Sequence, residues 1–486
     1  MRPRLELLEA DLVQRILDEA FALLDEPGVK VETAAARALL AGGGATVDEE
    51  RQVVRLPPAL VQSALASVPR SFTLHRRDGS AAVTYGGDAV HFDPGSSGVH
   101  VLDPQTLQHR TARTPDLLRL VKVAEQLPQY DAQSTAVVCT EAPQAVADIY
   151  RLYLVLLHSE KPIVTGAFTA HGAQAMLAML ALASGGEEAL RARPRAIFDV
   201  CPTPPLVWSE FGAQNLIDLA RAGAPAEIVS MPLAGAAAPV TLLGAVVQHA
   251  AECLSGITIH QLAQPGAPIV WGGAPAIFDM RQGTTPMGAI ETAMIDAAYA
   301  QVGKALGLPT HAYLGASDAK VVDVQAGLES GMTALVGALA GVNMISGAGM
   351  LDFLACQSAE KLVVDAEAIA MVRRLLQGME ERTAPLATAM FASIDFRPDF
   401  LKQKATRQLF RQEQHLPSAV IDRGSARSWQ EAGSLDTFAR ARARVDELLA
   451  SYERPALPPE QERALTELMV RLAHEAGMEQ LPAWEA

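Results

Sequence analysis

The run Glu227-Ile228-Val229-Ser230-Met231 is followed by Pro232, Gly235 and Pro239, then by a helical stretch at 242–254, then by Pro268-Ile269-Val270-Trp271. A short β-like run closed by Gly and Pro, a helix-length apolar segment and a second short run make one β–α–β unit. Strands joined by a crossover of that length lie parallel, because an antiparallel pair needs only a tight turn. The same rhythm extends both ways. Short β-like runs fall at 135–139, 162–165, 196–201, 227–231, 268–271, 310–314 and 342–345. Helical stretches at 150–157, 173–182, 213–222, 242–254, 289–306 and 327–339 separate them. With an eighth strand placed near 391–396, the alternation predicts an α/β fold, a (β/α)8 TIM barrel over residues 131–397 that carries the active site. An open doubly wound sheet is the alternative. No G-x-G-x-x-G opens the first helix, which counts against its dinucleotide-binding form.

Two extensions flank this unit. Residues 1–130 read as an N-terminal helical region followed by a small antiparallel β region, with turns at Asp78-Gly79, Gly86-Gly87 and Pro94-Gly95. Leu5, Leu8, Leu12, Ile16 and Leu23 make one apolar stripe on the first helix. Thr114-Pro115-Asp116 reads as a helix start capped by Thr114. Residues 398–486 read as an Arg-rich, helical C-terminal extension.

Acidic residues outnumber basic ones by 55 to 40, a formal charge of −15. That excludes a nucleic-acid or anionic-membrane partner, either of which wants clustered Lys and Arg. Uncharged runs at 228–251 and 331–351 are long enough to span a bilayer, but Gly and Pro break the first and a β-rich run begins inside the second. Four scattered cysteines, Cys139, Cys201, Cys253 and Cys356, form no C-x-x-C, so a reduced cytoplasmic setting is expected.

In a barrel, chemistry sits where strands end and loops begin. Those exits here are rich in small residues and poor in nucleophiles or bases. The histidines form no H-x-H, H-x-x-x-H or E-x-x-H pair, and no directly bound metal is expected. G-x-S-x-G and the P-loop lysine motif are absent. A thiol–His pair at Cys139 or Cys201 stays open. After the sixth strand of the alternation comes Ser317-Asp318-Ala319-Lys320, then Asp323, Gln325 and Glu329. These read either as a solvated helix start or as a negative rim that holds a cation. Asp318 is the best functional carboxylate. Asp279 and Arg281 form a second polar pair, whose plain reading is a loop ion pair.

Ordered motifs then resemble one family. They are Ser230-Met231-Pro232-Leu233-Ala234-Gly235-Ala236-Ala237-Ala238-Pro239-Val240-Thr241-Leu242, Gln264-Pro265-Gly266-Ala267-Pro268, Asp279-Met280-Arg281 and Gly283-Thr284-Thr285-Pro286-Met287-Gly288. Gly315-Ala316-Ser317-Asp318-Ala319-Lys320, Asp323-Val324-Gln325-Ala326-Gly327, Gly347-Ala348-Gly349 and Trp429-Gln430-Glu431-Ala432-Gly433 continue in the same order. Together they resemble the trimethylamine:corrinoid methyltransferase family along most of the chain. The resemblance implies a barrel that moves a methyl group from a methylated amine to the cobalt of a separate corrinoid protein. Trimethylamine-specific members carry pyrrolysine, whereas every residue here is ordinary. The resemblance is therefore to the branch without pyrrolysine, typified by glycine betaine methyltransferases.

A quaternary ammonium suits a site without acids or bases at its exits. It already carries the positive charge, and attack on its methyl carbon expels a neutral amine, so no proton donor is needed at nitrogen. The site must orient the cation and exclude water. No D-x-H-x-x-G occurs, so the cobalamin is expected on a cognate corrinoid partner protein. Expected roles are catalytic for Asp318 and substrate-binding for Trp271, Tyr313, Phe168, Phe92, Arg281, Gln325 and Ser346. Gly315 and Gly347 would give the corrinoid room. Trp271 and Tyr313 fit equally well as packing residues of the barrel. A cytoplasmic homo-oligomer in one-carbon metabolism is expected. The alternatives are a non-catalytic small-molecule binding protein on the same scaffold, or a barrel enzyme acting on another methylated substrate.

Overall fold

The computed structural model describes residues 2–169, 172–392, 396 and 400–483. Its centre is a set of parallel strands, each followed by a helix. We label them β1 (His91–Pro94), β2 (Gln133–Ser134), β3 (Ile163–Gly166), β4 (Ala196–Val200), β5 (Ala226–Ser230), β6 (Ile269–Gly273), β7 (His311–Ala312) and β8 (Met344–Ala348). The helices are α1 (Thr114–Gln126), α2 (Ala147–His158), α3 (Gly172–Ser184), α4 (Glu210–Ala222), α5 (Leu242–Ala263), α6 (Ile290–Ala305), α7 (Val324–Leu339) and α8 (Ala359–Gln377).

Every ladder between these strands is parallel. β2 pairs with β3, β3 with β4, β4 with β5 and β5 with β6. A bridge from Trp271 to Thr310 carries the order on to β7, which pairs with β8. β8 pairs with β1, through Met344 with His91 and Ile345 with Phe92. The Asp131 amide donates to Phe92 O at 2.8 Å, and a parallel bridge joins Gly98 to Val137, so the order returns to its start.

The strand that completes this order is thus His91–Pro94. The segment expected near 391–396 is not a strand where it is described: Thr388–Phe391 is helical, and 393–395 lie outside the described residues. The proposed boundary at Pro398 also lies outside them. The expected antiparallel region is there in part. Phe72–His75 pairs antiparallel with Ala81–Tyr85, and His100–Leu102 with His109–Thr111. β1, between these hairpins, instead runs parallel with β8. A four-residue strand flanked by Gly86-Gly87 and Pro94-Gly95 has the turn spacing of a hairpin, which hides its distant partner.

Side-chain caps start four of the helices at the ends of the loops that leave the strands. Ser209, Thr241, Asp323 and Ser358 each accept the amide three residues on, those of Gly212, Gly244, Ala326 and Lys361. Thr114 is not a cap. It is the first residue of α1, and Asp116 accepts the amide of Arg113 at 2.9 Å instead.

α5 is long and apolar enough to cross a membrane, yet 83% of that apolar stretch is buried within the protein. The N-terminal helices Ala10–Asp25 and Pro58–Ser67 pack along it. At the other end, Thr437–Ser451 lies on α8 and α1, and Pro459–Glu475 on α2 and α3. One side chain links these regions. Arg77, after the Phe72–His75 strand, donates to the carbonyls of Ser159 beyond α2 and of Pro455 and Ala456 in the C-terminal extension.

Candidate active site

Titratable side chains stand inside four of the short strands: Asp93 on β1, Asp199 on β4, Glu227 on β5 and His311 on β7. Their partners show that they point inward. Tyr313, just past β7, donates its hydroxyl to Asp199 Oδ2 at 3.0 Å. β5 and β6 lie between those two strands in the pairing order, so this bond spans the interior. The same hydroxyl lies 2.8 Å from Ser96 Oγ, past β1. Deeper in, His311 Nδ1 is 2.9 Å from Glu227 Oε1, with β6 between their strands. Glu227 also faces Asp199 and Tyr85. Ser346 on β8 donates to Asp93 Oδ1.

Below this layer the interior is apolar. Val164, Ile197, Val270 and Met344, from the early parts of their strands, pack with Leu74, Val83 and Tyr85 of the hairpin. The hairpin therefore plugs the N-terminal end.

Burial sets the charge of the polar layer, because removal from water disfavours ionised groups. It pushes the Glu227 carboxyl up to about 8, with the nearby Asp199 and Tyr85 side chains drawing it back down. Asp199 is raised by burial and then by the nearby Glu227 carboxyl. Asp93 is raised by burial despite the Ser346 hydroxyl. His311 is lowered to about 4 by burial, with Asp199 drawing it the other way. Burial thus works against ionisation of all three carboxyls and of His311. Asp93 Oδ2 and Asp199 Oδ1 have no protein hydrogen-bond partner and stay available as acceptors.

Arg151 of α2 is 1% exposed and reaches the same end of the strands. Its Nη1 donates to Thr135 O at 3.0 Å and Ser97 Oγ at 3.2 Å, and its Nε has no partner. Phe168 stands at the rim. A Cβ on Gly166 would lie 2.7 Å from its ring and 3.5 Å from Asp199 Cβ, so glycine at 166 lets the ring close over the interior. Asp148 Oδ2 holds the Phe168 amide at 2.7 Å.

Among the expected residues, Tyr313, Ser346 and Phe168 therefore meet at the interior and its rim. Others do not. Trp271 is fully buried between strand and helices: its indole donates to Tyr299 O at 3.0 Å and stands edge-on to His249. Phe92 is buried on the α8 side, beneath the Arg373 guanidinium. Arg281 is exposed and paired with Asp279 at 2.9 Å, which draws that carboxyl down to about 2. Gln325 is exposed and bonds Glu329 at 2.9 Å. Gly315 turns at φ +84° beside α7. A Cβ on Gly347 would lie 2.5 Å from Leu314 O, so that glycine serves close strand packing.

Asp318 is a clamp. Its two oxygens accept the amides of Met287 at 2.8 Å and Gly288 at 3.0 Å. Burial raises its carboxyl to about 6, against the pull of those amides. Glu329 accepts the Asp318 amide and the Ser317 hydroxyl, tying the β7 exit to α7. Met287 in turn packs with Tyr313, so Asp318 fixes a wall of the interior. The thiols are not activated: burial pushes Cys139 and Cys201 up to about 12.

Reading exits alone missed Asp93, Asp199, Glu227, His311 and Arg151. A signal was present for two of them. Phe198-Asp199-Val200 and Ala226-Glu227-Ile228 each set a charge inside an apolar β run, where a buried parallel strand is ordinarily apolar throughout.

Parallel strands with following helices, and a buried layer of titratable side chains within them, define an α/β protein of the kind whose chemistry sits at the strand ends. The family profile for trimethylamine methyltransferase (MTTB) matches residues 1–477. Trimethylamine methyltransferase MttB of Desulfitobacterium hafniense is 30% identical over 456 residues, covering 94% of this chain and 92% of that one. The MttB of Methanosarcina barkeri is 33% identical, covering 92% and 91%. A glycine betaine methyltransferase of Desulfitobacterium hafniense is 30% identical over 479 residues, covering 98% and 99%. The monomethylamine methyltransferase MtmB of Methanosarcina barkeri shares the fold, with a TM-score of 0.55 at 12% identity over 92% of this chain and 89% of that one. The chain belongs to the trimethylamine methyltransferase family and is a methyltransferase.

Proposed function

We propose that the ring of strands is a closed (β/α)8 TIM barrel beginning at His91, and that it demethylates a quaternary amine of the betaine type. The Tyr313–Asp199 bond across the interior carries this reading. It sets a carboxyl beneath an aromatic wall, a combination that suits a methylated ammonium. The cation would neutralise the carboxyl layer, and Phe168 would shield it from water. Met287, held by Asp318, would complete the wall that orients the methyl group toward the rim.

The acceptor would be a corrinoid on a separate protein, whose cobalt(I) supplies the nucleophile. The rim fits such a partner. The loops after β5 and β6 expose Met231, Val240 and Met280 around the small residues Ala236 and Ala237, an apolar surface without bulky cover. A cytoplasmic location accords with four free cysteines.

The test mixes the protein with free cob(I)alamin, or with a cognate corrinoid protein, and glycine betaine, choline, tetramethylammonium or trimethylamine. Methylcobalamin absorbance should appear with a quaternary amine. Turnover of trimethylamine alone, or of none of these with a competent corrinoid protein, would overturn the reading.

A further inference from the structure

At the plugged N-terminal end of the strands two guanidiniums lie near each other. Arg195 stands just ahead of β4 and is 3% exposed. Its Nη1 donates to Ala183 O at 3.3 Å, but its Nε and Nη2 have no partner. Burial, and then the nearby Arg77 charge, lower its pKa to about 10, with Glu160 drawing it back. It therefore stays charged at neutral pH. Arg77 uses both Nη atoms on the carbonyls of Leu156, Ser159, Pro455 and Ala456, and its Nε is also unpartnered. The His75 amide donates to Pro194 O at 2.9 Å, so the strand leading to Arg77 lies against the residue before Arg195. His75 Nδ1 and Ser184 Oγ, the latter beside Ala183, are two more buried atoms without a partner.

Orphaned donors around a like-charged pair are costly unless an acceptor meets them. The nearby carboxylates do not. Glu160 favours both guanidiniums, yet it forms no ion pair with either among the described residues. Glu125, which also favours Arg77, has its oxygens on the Ser159 hydroxyl, the Gln133 side-chain amide and the Glu160 backbone amide. We propose that a small monovalent anion of the chloride class sits between Arg77 and Arg195 and accepts their free N–H groups, with Ser184 and His75 at its edge.

Charge favours an anion over water. Water can accept the N–H groups but leaves two like charges facing each other. Burial favours a halide over phosphate or sulfate. The cost of dehydrating an ion grows with the square of its charge, and Arg195 is almost wholly out of solvent. The anion would also brace three parts of the chain. Arg77 already holds Ser159 beyond α2 and Pro455 and Ala456 of the C-terminal extension, and the anion ties it to the start of β4. Only the folded chain brings the two guanidiniums together, so binding must stabilise it. The polar layer inside the strands takes no part, and this inference is independent of the methyl-transfer reading.

Two measurements on the full chain provide the test. In crystals soaked in sodium bromide, an anomalous peak should lie between the two guanidiniums. In solution, stability against urea should be higher in sodium chloride than in sodium gluconate of equal ionic strength. At a chloride concentration about ten times the dissociation constant, the unfolding equilibrium constant should be about elevenfold lower. Arg195→Met should abolish the difference between the two salts. Should that variant misfold, the diffraction and the salt comparison on the wild-type chain decide. Water alone between the guanidiniums, equal stability in the two salts, or a chloride effect that survives in folded Arg195→Met overturns the proposal. So does bromide bound as an adventitious ion only, present at soaking concentration without any chloride effect in solution.

Discussion

Asp199 and Tyr313 hold the centre of the polar layer, and each can be altered without changing its shape much. Asp199→Asn removes the charge but keeps the hydroxyl partner. KM for a quaternary amine should rise by roughly ten- to a hundredfold, an effect of about 1.4–2.7 kcal/mol, with a smaller change in kcat. The pH profile has a definite sign. In the proposed cation site Glu227 acts as a carboxylate, and burial holds its carboxyl up to about 8. KM should therefore fall as pH rises through that value, and a profile flat from pH 6 to 9 would refute the role of Glu227. Arg151 supplies a second contrast. If its guanidinium meets a substrate carboxylate, Arg151→Met should raise KM for glycine betaine and leave tetramethylammonium unchanged. Steady-state kinetics on the two substrates would show the difference.

At the scale of elements, the loop between β6 and α6 depends on one carboxylate. Asp318→Ala would leave the Met287 and Gly288 amides buried without an acceptor, a loss of about 2–4 kcal/mol by ordinary hydrogen-bond accounting. Denaturant midpoints should register it, and activity should fall because the wall beside Tyr313 loosens. Trp271→Phe should also lower stability while leaving KM nearly unchanged, since the indole faces Tyr299 O rather than substrate. The alternation of β5, α5 and β6 was readable because each run has its own length, turns and composition. The inward direction of Asp199 and Glu227 was not, because a strand buried on both faces shows no polar alternation to mark one face. Their partners, Tyr313 and His311, come from β7 and its exit, more than eighty residues away. The motifs that revealed the family lie largely on rim loops, so they led to Asp318 and not to the layer beneath it.

For the whole molecule, the place of β1 matters most. A fragment of residues 131–397, the barrel as expected from the alternation, lacks the strand that pairs with β8 and adjoins β2. Such a fragment should show no cooperative melting by circular dichroism, whereas one beginning ahead of the Phe72–His75 hairpin keeps both strand and plug. A cooperative transition in the shorter fragment would contradict this. Arg77 extends the point to the chain's far end. Its guanidinium joins the plug, the end of α2 and the tail at Pro455 and Ala456 through carbonyl bonds. A proteolytic nick in the linker that follows Ala456 would therefore leave the tail's first residues seated by Arg77 and its last helix seated by Leu465 and Met469, both buried. Limited digestion there should cut the chain without dispersing it, so that Pro459–Glu475 stays with the core on gel filtration and parts from it only in denaturant.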